Sequence, residues 1–470
     1  MSELLDKDAV EIAALIAGGQ LSARELMQAT LDRIGHVNPQ VNAIVSLRDA
    51  DELLAESDAA DAGPHRGPLH GLPIAIKDLA DARGLPTTQG SPAFAGQIAA
   101  ADDLMVARMR AAGAIIIGKT NTPEFGLGSH TFNPVFGPTR NPYDLSRSAG
   151  GSSGGAAVAL ATRMLCLADG SDMMGSLRNP AGWANVYGFR PSWGRVPADP
   201  EGDMFLHQLS TSGPMARSVR DIAMLLDVQS GPDPRLPLAL PAERFAHRID
   251  ADVRGRRIAW LGDWGGAFPM EPGVLDTCRA ALAVFADMGC VVEEVAAPFD
   301  AELMWESWIT LRSWAVAAGL GALADNPETR DALKPEALWE IERGRALSGA
   351  AVQRASEVRS DWFRAAARLF EACDAFVLPT AQVWPFPVEW RWPQAVAGVQ
   401  MDTYHRWMQV VVPVSLIGLP CLAVPAGFGA QGLPMGLQIA GRRGDDAGVL
   451  QLGQAWHQAA PWIGVAPRLA

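Results

Sequence analysis

Lysine is nearly missing from this chain. Lys7, Lys77, Lys119 and Lys334 are its only lysines, so arginine supplies almost all of the 39 basic residues. Tyrosine is limited to three residues, and the five cysteines (Cys166, Cys278, Cys290, Cys373 and Cys421) are scattered without a C-x-x-C pair. Such an odd, dispersed set argues against a disulfide framework and against a zinc site. There is no basic run, and the formal net charge is −13. Phosphate binding needs clustered Lys and Arg, so a nucleic-acid partner is not expected. No apolar run approaches the roughly 20 residues that span a bilayer. The opening Met1–Asp6 has neither the basic nor the apolar part of a secretory signal. The expectation is a cytoplasmic protein that does not engage a membrane.

What is present is ordinary globular material, 49% hydrophobic and 19% charged over 470 residues. Residues 1–60 carry helical periodicity, with Ser22 and Glu25 in a capping-box pattern. From about 70 to 230 the texture changes to short apolar runs separated by Gly, Pro, Asn and Ser, with a catalytic core expected over about 70–220. Ile74–Ile76 and Ile115–Ile117 read as buried strands. Residues 257–320 alternate strand (257–261), helix (274–288), strand (291–295) and helix (301–320). A helical stretch at 335–372 leads into a strand at 376–378. A Pro- and Trp-rich surface loop is expected over 379–400, with strand and turn texture from 410. The alternation predicts an α/β fold. Without repeats or linkers, one large domain is expected over 1–470. A variable segment occupies about 230–410, and the chain returns to the core over about 410–470.

Two motifs mislead. Gly113–Thr120 (GAIIIGKT) spells a phosphate loop, but its centre is Ala114 and three isoleucines, which prefer an extended buried strand to a curled anion cradle. Gly150–Gly154 (GGSSG) spells the nucleophile elbow of α/β-hydrolases, which must follow a buried strand. Here it follows loop-like sequence. An esterase using Ser152 as nucleophile, with a late histidine such as His405 or His457, is therefore the alternative mechanism.

The chemistry concentrates in two Gly/Ser-rich turns, 150–155 (GGSSGG) and 170–178 (GSDMMGSLR), separated by a small-residue helical stretch at 156–165. The first turn would sit at a helix N-terminus; the second could form a nest of N–H groups suited to an oxyanion. Gly71–Asp78 (GLPIAIKD) adds Lys77 at the end of an apolar strand. A buried lysine loses its charge easily and can serve as a base for a serine nucleophile.

These segments resemble the amidase signature family. So do 136–142 (FGPTRNP), 188–195 (GFRPSWGR), 213–218 (GPMARS), 418–425 (GLPCLAVP) and 432–439 (GLPMGLQI), and the resemblance spans nearly the whole chain. It implies a mixed β-sheet surrounded by helices and a serine hydrolase of amide C–N bonds. By the same resemblance Lys77, Ser152 and Ser176 form the triad, with Ser152 preceded by a cis peptide bond and Ser176 as the acyl-forming nucleophile. The backbone amides of Met173, Met174, Gly175 and Ser176 form the oxyanion hole, while Ser153, Asp172 and Arg178 brace the site. No cofactor or metal is implied.

Met173-Met174 departs from the family pattern, in which a small residue precedes glycine. A positive φ at the second position would strain methionine. Trp305, Trp308, Tyr404 and Trp407 are the aromatic candidates for a substrate pocket, although aromatics more often fill cores. If they line it, aryl anilides and carbamates (urethanes) are the fitting substrates. A homodimer is compatible with these features. An amidotransferase component that works only within a complex is a further alternative.

Overall fold

The computed structural model describes residues 2–469. Toward the N-terminus, after a short first helix Ser2–Asp6, the helices Ala9–Ala17, Ala23–Val41 and Ala50–Ala62 follow the expected periodicity. Ser22 caps the second of these, accepting from Glu25 N–H while the Glu25 carboxylate returns to the Ser22 N–H, as the capping box required. These helices lean on a small sheet in which Ile115–Thr120 lies between Ile44–Val45, antiparallel, and Pro73–Lys77, parallel. Both longer strands are buried along their whole length. That explains why they read as unbroken apolar runs rather than alternating ones.

Beside this lies an eight-stranded mixed sheet. Its spatial order is Val291–Glu294, Arg257–Trp260, Ala375–Pro379, Pro434–Ala440, Cys421–Phe428, Tyr187–Arg190, Thr211–Ala216 and Leu167–Asp172. The first three strands run parallel; every later pairing is antiparallel. The helix Gly154–Ala161 is buried on all sides, which its small apolar side chains permit. Gly155 allows its closest contact, since a Cβ there would stand 2.3 Å from Asn121 N.

Boundaries moved where capping and packing intervened. The helical stretch 335–372 is two helices, Pro335–Arg345 and Gly349–Ala372, because Ser348 opens the second by accepting from Ala351 N–H. The helix expected at 301–320 continues to Asp325. The segment 274–288 divides at Leu282. The expected surface loop after Pro379 begins buried, with Thr380 and Gln382 fully inside. Among the described residues no helix is long and apolar enough to cross a membrane, and all five cysteines are free and buried.

Candidate active site

Lys77 closes the strand Pro73–Lys77, and its backbone N–H donates to Asp169 Oδ1 at 2.9 Å. Its Nζ lies 2.7 Å from Ser152 Oγ, 2.9 Å from Ser153 Oγ and 3.1 Å from Ser171 Oγ. Among the described residues no carboxylate touches the amine. Burial, only partly opposed by Asp169 and Asp172, brings its pKa down from the ordinary lysine value to about 7. At neutral pH such an amine exchanges readily between ammonium and free base.

The peptide bond between Gly151 and Ser152 is cis. Ser153 then starts the helix Gly154–Ala161, but its hydroxyl turns to Lys77 instead of capping. Its N–H donates to the Ser176 carbonyl at 3.2 Å, which ties the two serine turns together. Ser152 and Ser176 line one cleft of about 210 Å³. The Ser176 hydroxyl has no hydrogen-bond partner among the described residues, so of Lys77, Ser152 and Ser176 it is Lys77 and Ser152 whose side chains are in contact.

The turn carrying Ser176 is held from behind. Asp172, wholly buried, receives Arg178 Nε at 2.9 Å and Arg190 Nη1 at 3.1 Å. Burial would raise this carboxyl, but the two guanidiniums override it and hold the group far below the carboxylate range. Arg178 continues to Ser415 Oγ at 2.6 Å and to Gln438 Oε1. Asp172 and Arg178 thus brace the turn geometrically.

Asp172 Oδ1 also takes the Gly175 N–H at 2.9 Å. Of the four amides named for an oxyanion hole, that of Gly175 therefore already has a partner. The amides of Met173, Met174 and Ser176 remain without a partner among the described residues. The left-handed conformation belongs to Gly175 (φ 78°), and neither methionine has a positive φ. Met174 is therefore unstrained; it is buried and reaches the cleft wall.

The aromatic candidates lie away from this cleft. Trp305, Trp308, Tyr404 and Trp407 are all buried, and none lines the cleft. Trp407 stacks on Trp183 with ring centroids 6.1 Å apart, and Arg406 lies over Trp305. The Tyr404 hydroxyl accepts from Arg312 and donates to Glu340. The cleft walls are instead Phe125, Leu127, Val316, Leu320 and Met408, with Arg312 among them. Ser171 and Asp169 went unnoticed in the sequence. Alternation along Leu167–Asp172 puts them on one side of the strand and Asp172 on the other, a signal that was available.

The histidines of the alternative mechanism lie elsewhere. His405 is buried beside Trp305 and Tyr404 with no hydrogen-bond partner among the described residues, and His457 contacts the Tyr187 hydroxyl at 3.0 Å. Among the described residues no three His, Cys, Asp or Glu side chains gather as a metal site.

The amidase family model matches residues 25–450. An acylamidase of Rhodococcus erythropolis is 37% identical, covering 98% of this chain and 96% of its own. A glutamyl-tRNA(Gln) amidotransferase subunit from Chloroflexus aurantiacus is 34% identical across 100% of both chains. Among solved structures, a bacterial aryl acylamidase of the amidase signature enzymes superposes with a TM-score of 0.91 at 31% identity, covering 98% of this chain and 99% of that one.

Proposed function

Because this chain belongs to the amidase signature family and is an amide-hydrolysing enzyme, we propose that it works through an acyl-enzyme on Ser176, with Ser152 and Lys77 relaying the proton. The observation that carries this reading is the Lys77 amine, buried and 2.7 Å from Ser152 Oγ with hydroxyls rather than a carboxylate around it. A free amine there can take a proton from Ser152 as Ser152 takes one from Ser176.

Ser176 Oγ then bonds to the substrate carbonyl carbon, and the oxygen becomes an oxyanion held by the amides of Met173, Met174 and Ser176. Each such donor is worth about 3–4 kcal/mol. Collapse breaks the C–N bond, and the nitrogen leaves with the proton returned through Ser152. Water, deprotonated by the same relay, attacks the Ser176 ester and releases the acid.

Aryl amides, with carbamates of similar shape, are the proposed substrates. The apolar walls Phe125, Leu127, Val316 and Leu320 favour a bulky nonpolar group, and two relatives are named for acylamidase activity. The amidotransferase reading draws on relatives matched along their full length. Comparing turnover of anilides with release of ammonia from glutamine separates the two. A fluorophosphonate should add its mass at Ser176, and Ser176→Ala should abolish turnover at an unchanged melting temperature. Labelling at Ser152 in the active protein would move the nucleophile to the elbow.

A further inference from the structure

A second cavity, of about 250 Å³, adjoins the catalytic cleft. Met173, Ser210 and Ala315 line both, forming a shared wall. Neither space alone reaches the roughly 300 Å³ at which small-molecule pockets begin; joined, they do. The partition is not rigidly packed. Met173 and Ala315 are only half-buried, Ser210 is exposed, and the unbranched Met173 side chain is held at its sulfur by Arg312 Nη1 at 3.2 Å, a weak acceptor.

The walls of the second cavity are apolar where it matters. Trp193, Val196, Leu209, Leu236 and Leu238 face it. Its carboxylates are turned to backbone. Asp199 Oδ1 accepts from Leu104 N–H at 2.8 Å, and Asp203 Oδ2 accepts from Leu206 N–H at 2.8 Å and His207 N–H at 3.2 Å. Phe205 and Leu206, each 59% exposed, are the most exposed large hydrophobic residues among those described, and they follow the lining residues Asp203 and Met204. Apolar surface of this kind gains when an apolar group covers it.

We infer that this cavity is an annex of the active site, opened by displacement of the Met173 side chain, that takes an extended apolar arm of the substrate remote from the scissile bond. The inference rests on Ser176 being the nucleophile. The arm is an alkyl or arylalkyl chain, on either the acyl or the amine side.

A pair of probes, methyl and octyl fluorophosphonate, tests this on the intact protein by the rate of mass addition at Ser176. The octyl probe should react faster by about two- to fourfold per methylene until the annex is filled. Ala239→Trp, or Ala198→Trp should the first fail to fold, fills the annex from a wall that the catalytic cleft does not share. Either should remove the octyl advantage while the methyl rate and melting temperature hold. Octyl anilides and N-octyl amides then assign the arm to acyl or amine. Equal rates for both probes, or an octyl advantage that survives both substitutions, would overturn the annex. Absence of labelling at Ser176 would overturn the nucleophile assignment instead.

Discussion

Lys77 and Lys119 stand on neighbouring parallel strands, Lys77 paired in register with Thr120 and Lys119 with Ile76. Both are buried, and burial pulls both below the ordinary lysine pKa. Their surroundings differ. Lys119 Nζ reaches the Ala80 carbonyl at 2.6 Å, Thr87 Oγ1 at 3.0 Å and the Asp78 carboxylate at 3.6 Å. Lys77 meets hydroxyls. A carboxylate fixes an ammonium as half of an ion pair, whereas hydroxyls leave the proton free to move and can themselves pass it on. Asp78 follows Lys77 in sequence yet serves its neighbour, so chain adjacency says nothing about which lysine is chemical.

Exchanging each lysine breaks the comparison if it is wrong. Lys77→Met should lower kcat/KM on an anilide by about 10⁴-fold, near the effect expected for a member of a relay acting as a unit. Lys119→Met should leave kcat per folded molecule within about threefold. It should cost about 3–5 kcal/mol in urea unfolding, because Asp78 stays buried without its counter-ion. The reverse pattern would exchange the two roles.

A smaller effect comes from making the first environment like the second. Ser171→Asp places a carboxylate where a hydroxyl stands 3.1 Å from Lys77 Nζ. In the proposed mechanism Lys77 acts as a neutral base, so the wild-type kcat/KM should rise with pH through about 7 and level above it. The new charge stabilises the ammonium and should move that limb up by about 1–3 pH units, with an equivalent loss of rate at pH 7. An unmoved limb would detach the pH dependence from Lys77.

How much of this was legible follows from distance along the chain. Lys77 at a strand end and serines in glycine-rich turns are local patterns; that Lys77 Nζ lies 2.7 Å from Ser152 Oγ is a pairing that only the family resemblance named. Trp305 and Trp308 share a helix face, but spacing does not say whether that face meets a cleft or the interior; it meets the interior. Arg178 takes its partner Gln438 from 260 residues away, and nothing near Arg178 announces it. Strain at Met174 could be posed from sequence but not decided, since one turn residue had to be left-handed and that residue is Gly175.

The smallest expected effect follows from that last point. Met174→Gly should lower the melting temperature, because a buried side chain leaves the core and no backbone strain is released to offset it. It should change the ranking of acetyl, butyryl and benzoyl anilides, because a cleft wall is removed. A markedly more stable variant with unchanged ranking would mean that Met174 was strained and lined nothing.

The cage around Asp172 also has a consequence for synthesis. By the time residue 190 has emerged from a ribosome, Lys77, both serines, Asp172 and its two arginines have all been made. The Ser415 and Gln438 side chains that hold Arg178 from its far side arrive only with the last strands. Domains consolidate as units, so a nascent chain would carry Lys77, Ser152 and Ser176 for most of its elongation before the brace behind Ser176 could close, and the proposed relay would be completed only with the C-terminal strands.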